Sequence, residues 1–262
     1  MLFKEIAEII DQQGTAALCI LVQTKGSTPR QAGSKMLVFP DGRISGTIGG
    51  GEMEHRVVQE ALDAIQVGKP RLISYKMTDP QDGDPGLCGG QLEVYVEPIL
   101  PKKAVIVVGA GHVGQAVAKL AKWLGYYLII SDDRPDFAVP DRVPDADVYH
   151  TGPMGELIES QQIHNQSNLV LTTRGVDLDS AGLPAMLATE AAYIGVIGSK
   201  RRWETTRKML LESGIPVEQI SRIHSPMGLE LHAETPEEIA VSILAEIIML
   251  SKGGDGKEMK SG

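Results

Sequence analysis

The 262-residue sequence predicts an α/β chain, with an N-terminal α+β domain over residues 1–100 followed by a domain built on a parallel sheet over residues 101–262. Three observations carry this. In the second part, apolar runs of strand length alternate with helical stripes, the grammar of parallel βαβ units. In the first part, short apolar runs gather around turn sequences such as Pro40-Asp41-Gly42, which suits a hairpin. Between the two, Glu97-Pro98-Ile99-Leu100-Pro101-Lys102-Lys103 breaks both periodicities and marks a boundary.

The elements follow in order. Leu2, Ile6, Ile9 and Ile10 recur at helical spacing and stop before Gly14, and residues 16–22 then form a strand-length apolar run. Residues 35–39 and 43–47 are the two arms of the hairpin. Val57, Val58, Ala61, Leu62 and Ile65 make a helical stripe over residues 52–67, closed by Gly68 and Pro70. Strands are expected over 71–76 and 91–96. Beyond the boundary, strands are expected over 104–108, 127–130, 168–172 and 193–197, with a helix over 113–124. Thr235-Pro236-Glu237-Glu238 combines an N-cap threonine, proline at the first helical position and glutamate three residues after the cap. The helix it opens carries two apolar rows that require cover from the core or from a second copy of the chain.

Hydrophobic residues at 42% and charged residues at 23% are ordinary globular usage, enough for a buried core. A net charge of −9 lacks the basic footprint of a nucleic-acid binder, so no nucleic-acid partner is expected. The two cysteines, Cys19 and Cys88, stand far apart and form neither a disulfide framework nor a Cys-x-x-Cys site. That fits a reducing cytoplasm, the expected location. Acids interrupt the first apolar stretch and no apolar run approaches membrane-spanning length, so neither a signal peptide nor a membrane span is expected. Residues 253–262 read as a disordered tail.

The strongest chemical signal is Gly109-Ala110-Gly111-His112-Val113-Gly114, a Gly-x-Gly-x-x-Gly lying after one strand and opening one helix. Such glycines allow a tight turn, close approach of a pyrophosphate and close helix-on-strand packing. Asp132 ends the next strand, where an acid meets a ribose hydroxyl. Together these make the second domain Rossmann-like, with a nucleotide or the bare fold as the two readings. His112 lies beside the loop, facing either a ligand or solvent. Two further loops belong at the carboxyl ends of the strands. One carries Arg174; the other is Ser199-Lys200-Arg201-Arg202, where cations at a helix start either receive an anion or offset nearby acids. In the first domain, Gly49-Gly50-Gly51 is either a sharp strand-to-helix turn or a wall of a site. Cys88, with Gly89 and Gly90, is an incidental loop cysteine or a soft metal ligand, whereas Cys19 reads as a small core residue. No acid, base or nucleophile stands out as catalytic.

Read in order, these motifs resemble those of the XdhC/CoxI family of xanthine dehydrogenase accessory proteins. The match runs from Gly26-Ser27-Thr28-Pro29-Arg30 through Gly46-Thr47-Ile48-Gly49-Gly50-Gly51, Cys88-Gly89-Gly90, the Gly109 to Gly114 loop, Asp132-Asp133-Arg134 and Thr173-Arg174-Gly175. It continues through Ile197-Gly198-Ser199, His224-Ser225-Pro226-Met227-Gly228-Leu229 and Ala233-Glu234-Thr235-Pro236. The resemblance implies a maturation factor that binds molybdenum cofactor (molybdopterin), assists its sulfuration with a cysteine desulfurase and inserts it into a xanthine dehydrogenase-type apoenzyme. By the resemblance, Cys88 is the residue that would touch molybdenum; a homodimer is the expected assembly. The chain departs from many relatives at Glu52, where they carry cysteine, at Val176, where they carry histidine, and at His232, where they carry glycine. The rival readings are an oxidoreductase that takes NAD(P) as its cofactor and an adaptor with no small-molecule ligand.

Overall fold

A computed structural model of the chain describes residues 2–26, 28–76 and 90–259. It divides into two units, Met1–Pro101 and Lys102–Gly262. Cys88 and Gly89 lie outside the described residues.

In the first unit, helix α1 (Leu2–Asp11) precedes strand β1 (Ala16–Lys25), whose alternate residues Ala17, Cys19 and Leu21 face one side and are fully buried. β2 (Lys35–Val38) and β3 (Ile44–Gly46) form the hairpin, and β4 (Arg71–Lys76) and β5 (Gln91–Ile99) complete an antiparallel sheet in the order β3-β2-β1-β5-β4. Helix α2 (Gly51–Val67) covers one face with Met53, Val57, Ala61 and Ala64, spaced so that they share one side of the helix. Its end follows the sequence, since Gly68 adopts the left-handed conformation that closes a helix. Cys19 lies in this core, and burial pushes its thiol up to about 12. It is the small core residue the apolar run suggested.

The break at Pro98 does not end the strand. β5 continues through Pro98 to Ile99, pairing Pro98 with Ala17 of β1. At that level β4 has already ended, because its first residue, Arg71, pairs with Val96. β5 has one neighbour there, and a proline is tolerated where a strand lacks a partner on one side.

The second unit is a six-stranded, wholly parallel sheet of β6 (Ala104–Val108), β7 (Tyr127–Asp132), β8 (Val148–Thr151), β9 (Ser167–Leu171), β10 (Tyr193–Val196) and β11 (Ile223–His224). Its order is β11-β10-β9-β6-β7-β8. The chain builds outward from β6 to β8 and then returns to start again at β9 on the other side. The direction of winding therefore reverses between β6 and β9, and the carboxyl ends of those strands leave a crevice. All five residues of β6 are buried, as a strand covered on both faces requires.

Helices α3 (His112–Trp123) and α8 (Pro236–Lys252) cover one face, while α4 (Met154–Ser160), α5 (Val176–Leu187), α6 (Lys200–Glu212) and α7 (Val217–Ile220) cover the other. The capping box at α8 is present in full, with the Thr235 side chain accepting from the Glu238 N–H and the Glu238 side chain from the Thr235 N–H. Of its two apolar rows, Ala240, Ile243, Leu244 and Ile247 are buried in the same core as Val117, Ala118 and Ala121 of α3. The helix's own unit thus covers most of this stripe, while Ile248 of the second row stays exposed. Residues 254–259 carry no helix or strand and are exposed. Among the described residues, no helix is long and apolar enough to cross a membrane.

Candidate functional site

The crevice is built by close approach. Gly109, the first residue after β6, has φ +105, and a Cβ there would lie 2.6 Å from the Thr172 carbonyl oxygen. Only glycine fits on both counts. Gly114 brings α3 onto its strand, since a Cβ would stand 1.9 Å from the Gly109 carbonyl oxygen. Gly111, between them, has φ −73 and no atom within 4 Å of where its Cβ would be. The space over Gly111 is open, which is what a loop that admits a phosphate needs.

A cavity of about 290 Å³ opens here, with Gly109, Gly111, Asp132, Asp133, Arg134 and Arg174 supplying its polar wall. Met154, Leu178, Ala181 and Gly182 supply an apolar one. Gly182 is needed for this wall, because a Cβ on it would run into the Met154 sulfur. An apolar slot beside a few convergent polar groups is the usual form of a small-molecule site.

Its charges are paired in two ways. The Asp132 carboxylate, whose side chain is 1% exposed, accepts from the Ala110 N–H at 2.8 Å and from the Arg134 N–H at 3.0 Å. It also accepts from Arg134 Nε at 2.8 Å and Nη2 at 2.9 Å. Asp132 sits where the motif places it, yet its oxygens are engaged by Arg134 and the backbone rather than turned to a ligand. Arg134 is held further by the Phe137 ring, 3.3 Å from its guanidinium. The hydrogen bond to Asp132 raises the Arg134 pKa, with the Arg174 charge opposing. The second pair spans the crevice. Arg174, after β9, donates from Nη1 and Nη2 to the two carboxylate oxygens of Asp133, after β7, each at 2.6 Å. That bond holds the Asp133 carboxyl down to about 2.

The remaining expected residues fall elsewhere. His112 is exposed and lines a separate depression with Lys119, Trp123 and Arg142, not the crevice cavity. Ser199 caps α6 by accepting from the Arg202 N–H at 3.2 Å. The three cations of that helix start do not form one anion site, because Arg202 turns inward. Its Nε and Nη2 donate to Asp179 Oδ2 at 3.0 and 2.6 Å, and its Nη1 and Nη2 to the Thr173 carbonyl and hydroxyl. Asp179 is fully buried and also accepts from the Thr173 hydroxyl. This knot fixes the Thr173-Arg174 turn against α5 and α6. No local pattern announces it, because its members lie on three segments.

In the first unit, Gly49, Gly50 and Gly51 all have positive φ and form the turn into α2. Pro29 of the motif loop packs on Gly49, with its Cβ 3.6 Å from where a glycine Cβ would be. Three of the loop's N–H groups, those of Ile48, Gly49 and Gly50, are already engaged, however. Glu54 reaches back to accept from the Thr47 hydroxyl, from the Ile48 N–H at 3.1 Å and from the Gly50 N–H at 3.3 Å. Burial alone would raise the Glu54 pKa, but these bonds outweigh it and lower it. Gly90 is buried at the start of β5. Among the described residues, no group of three or more histidines, cysteines or acids could hold a metal ion.

A further constellation went unassigned in the sequence. Glu246 of α8 accepts from the Tyr193 hydroxyl and from the Gly228 N–H at 2.8 Å, and pairs with His224 Nδ1 at 3.4 Å. Burial raises the Glu246 pKa and these bonds outweigh it. The bonds tie the His224 to Leu229 segment to α8.

A parallel sheet in this order, a Gly-x-Gly-x-x-Gly turn and a crevice at the reversal of winding define a Rossmann domain. The chain belongs to the XdhC and CoxI family: the model of the XdhC Rossmann domain matches residues 105–247, and that of the XdhC and CoxI family matches residues 9–76. It is similar to the Escherichia coli protein named uncharacterized protein YqeB, at 33% identity over 97% of this chain and 47% of that protein. The chain thus spans about half the length of that relative. It is 25% identical to a Bacillus subtilis protein named as a probable xanthine dehydrogenase component, over 93% of this chain and 96% of that one. It is 23% identical to the molybdenum cofactor insertion chaperone PaoD of Escherichia coli, over 88% and 82%. A crystal structure described as a xanthine dehydrogenase from Bacillus halodurans shares the fold, with a TM-score of 0.52, 24% identity and coverage of 99% and 97%.

Proposed function

We propose that the chain is an accessory factor that binds molybdenum cofactor as cargo, assists its sulfuration and inserts it into a xanthine dehydrogenase-type molybdenum hydroxylase. Family membership and the relative named a molybdenum cofactor insertion chaperone support the role. The observation that carries the binding is the crevice, where open backbone over Gly111 and the Arg174 fork meet an apolar slot.

The cargo offers a phosphate, a flat pterin and dithiolene-held molybdenum. The residues present fit the first two. Gly109, Gly111 and the start of α3 would receive the phosphate, since a helix N-terminus favours an anion. Arg174 would pair with it in two-point fashion. Met154 and Leu178 would cover the pterin and exclude water. Gly49 and Gly50, with their N–H groups engaged by Thr47 and Glu54, would shape backbone rather than bind charge, as would Gly51 at the turn into α2. Cys88, followed in sequence by Gly89 and Gly90, remains the residue proposed to touch molybdenum. A cysteine desulfurase and the apoenzyme are the proposed partners, the cytoplasm the proposed location and a homodimer the proposed assembly.

The test is to express the chain with cofactor biosynthesis and measure co-purified molybdenum and pterin. Wild type should carry both, and Cys88→Ser should keep pterin while losing most of the molybdenum. Wild type without either would overturn the reading, and equal molybdenum in Cys88→Ser would overturn the role of that cysteine.

A second reading, hydride transfer with NAD(P), has the glycine fingerprint in its favour. Against it stands Asp132, whose carboxylate is taken by Arg134 and so is not offered to a ribose hydroxyl. Calorimetry with NADH and NADPH separates the two readings.

A further inference from the structure

We propose that Asp133 is an internal stand-in for the ligand's anion, its carboxylate filling the Arg174 fork until a phosphate of the bound ligand displaces it. This rests on the reading that the crevice takes a phosphate-bearing ligand.

Four observations lead there. The Arg174 to Asp133 contact is a planar two-point pairing, at 2.6 Å on each arm, and the same fork fits a phosphate. It joins the loops after β9 and β7, so it passes over the end of β6, where Gly109 and Gly111 leave room for a ligand. Both partners stay accessible, with side chains 52% and 36% exposed, and an exposed ion pair is weak enough to exchange. The adjacent Asp132 to Arg134 pair differs on each point that matters. Its carboxylate is 1% exposed and holds backbone as well as guanidinium, so it is fixed while the other is free to open.

Charge sets the direction of exchange. With Asp133 in place, Arg134 and Arg174 are balanced by two carboxylates. Once Asp133 swings away, two guanidiniums near enough to feel each other's charge face the cavity with Asp132 alone, beside the start of α3. The opened crevice is an anion receptor, whereas the closed one is neutral. Asp133 is ionised throughout the neutral range, and Arg174 lowers its carboxyl further, so the stand-in competes there. The device would hold the crevice shut to weak anions and yield to a ligand that brings a phosphate and a heterocycle together.

Calorimetry of the full chain with inorganic pyrophosphate tests this. Asp133→Asn should bind about three- to five-fold tighter than wild type, the yield of removing one exposed competing pair. Asp133→Ser provides a second removal of the carboxylate. Arg174→Gln should bind roughly ten-fold weaker or worse. Pyrophosphate affinity unchanged in both Asp133 variants, or unchanged in Arg174→Gln, or undetectable in all, would overturn the proposal. Its failure is separable from that of the cofactor reading. If no variant carries molybdenum or pterin but the order of pyrophosphate affinities holds, the cofactor reading falls and the role of Asp133 stands. If cofactor is retained while pyrophosphate affinities do not move, the role of Asp133 falls alone.

Discussion

At the scale of single residues, the carboxylates divide by what they face. Asp132, Asp179 and Glu54 turn inward and hold backbone or guanidinium groups, and Asp133 alone of these four bridges two loops across the cavity. The sequence marked Asp132 by its place after the glycine motif, but nothing local told whether its oxygens would meet a ribose or Arg134. Glu54 offers a test with a defined sign. Its pKa lies below the ordinary 4.5, so its contribution to stability is present above that value and is lost as pH falls through the lower folded value. Glu54→Gln should therefore cost the first unit about 1 kcal/mol at neutral pH, and less at acid pH once the carboxylate is protonated. Urea unfolding of both proteins at neutral and acid pH measures it. A cost that does not change with pH would show that the Glu54 charge holds nothing.

At the scale of elements, strong patterns were legible and weak ones were not. The buried strand at β6, the glycine turn into α3 and the capping box of α8 are each specified by neighbours in sequence. Strand β8 and helix α4 escaped notice because Val148-Tyr149-His150-Thr151 is a short edge strand, half-buried, and α4 has only seven residues. Both matter to the site, since Met154 of α4 lines the cavity. Pro98 misled in the opposite way, because a local breaker is harmless where the strand has lost its neighbour. The cap of α8 can be probed directly. Thr235→Ala removes the bond to the Glu238 N–H and should lower the stability of the second unit by about 1 kcal/mol, read as a shift of the urea midpoint at unchanged slope. No shift would mean that packing against α3 holds that end unaided.

At the scale of the whole chain, the class of each unit could be read from sequence but the strand order could not. Order depends on which strands pair, and pairing joins residues as distant as Val108 and Leu171. That order is what brings Arg174 to Asp133 and creates the crevice, so the glycine loop, Asp132 and Arg174 stood out in the sequence while the apolar wall and the internal pairing did not. The central claim is that the crevice over Gly111 holds the phosphorylated pterin. Gly111→Leu probes this most directly, because φ −73 suits any residue and its Cβ meets no atom within 4 Å, leaving the fold intact while filling the ligand's space. The measurement is the pterin and molybdenum that co-purify with wild type and with Gly111→Leu when cofactor biosynthesis is co-expressed. The expected result is a wild-type thermal transition with cofactor content cut about ten-fold or more; a folded Gly111→Leu carrying as much cofactor as wild type would contradict it.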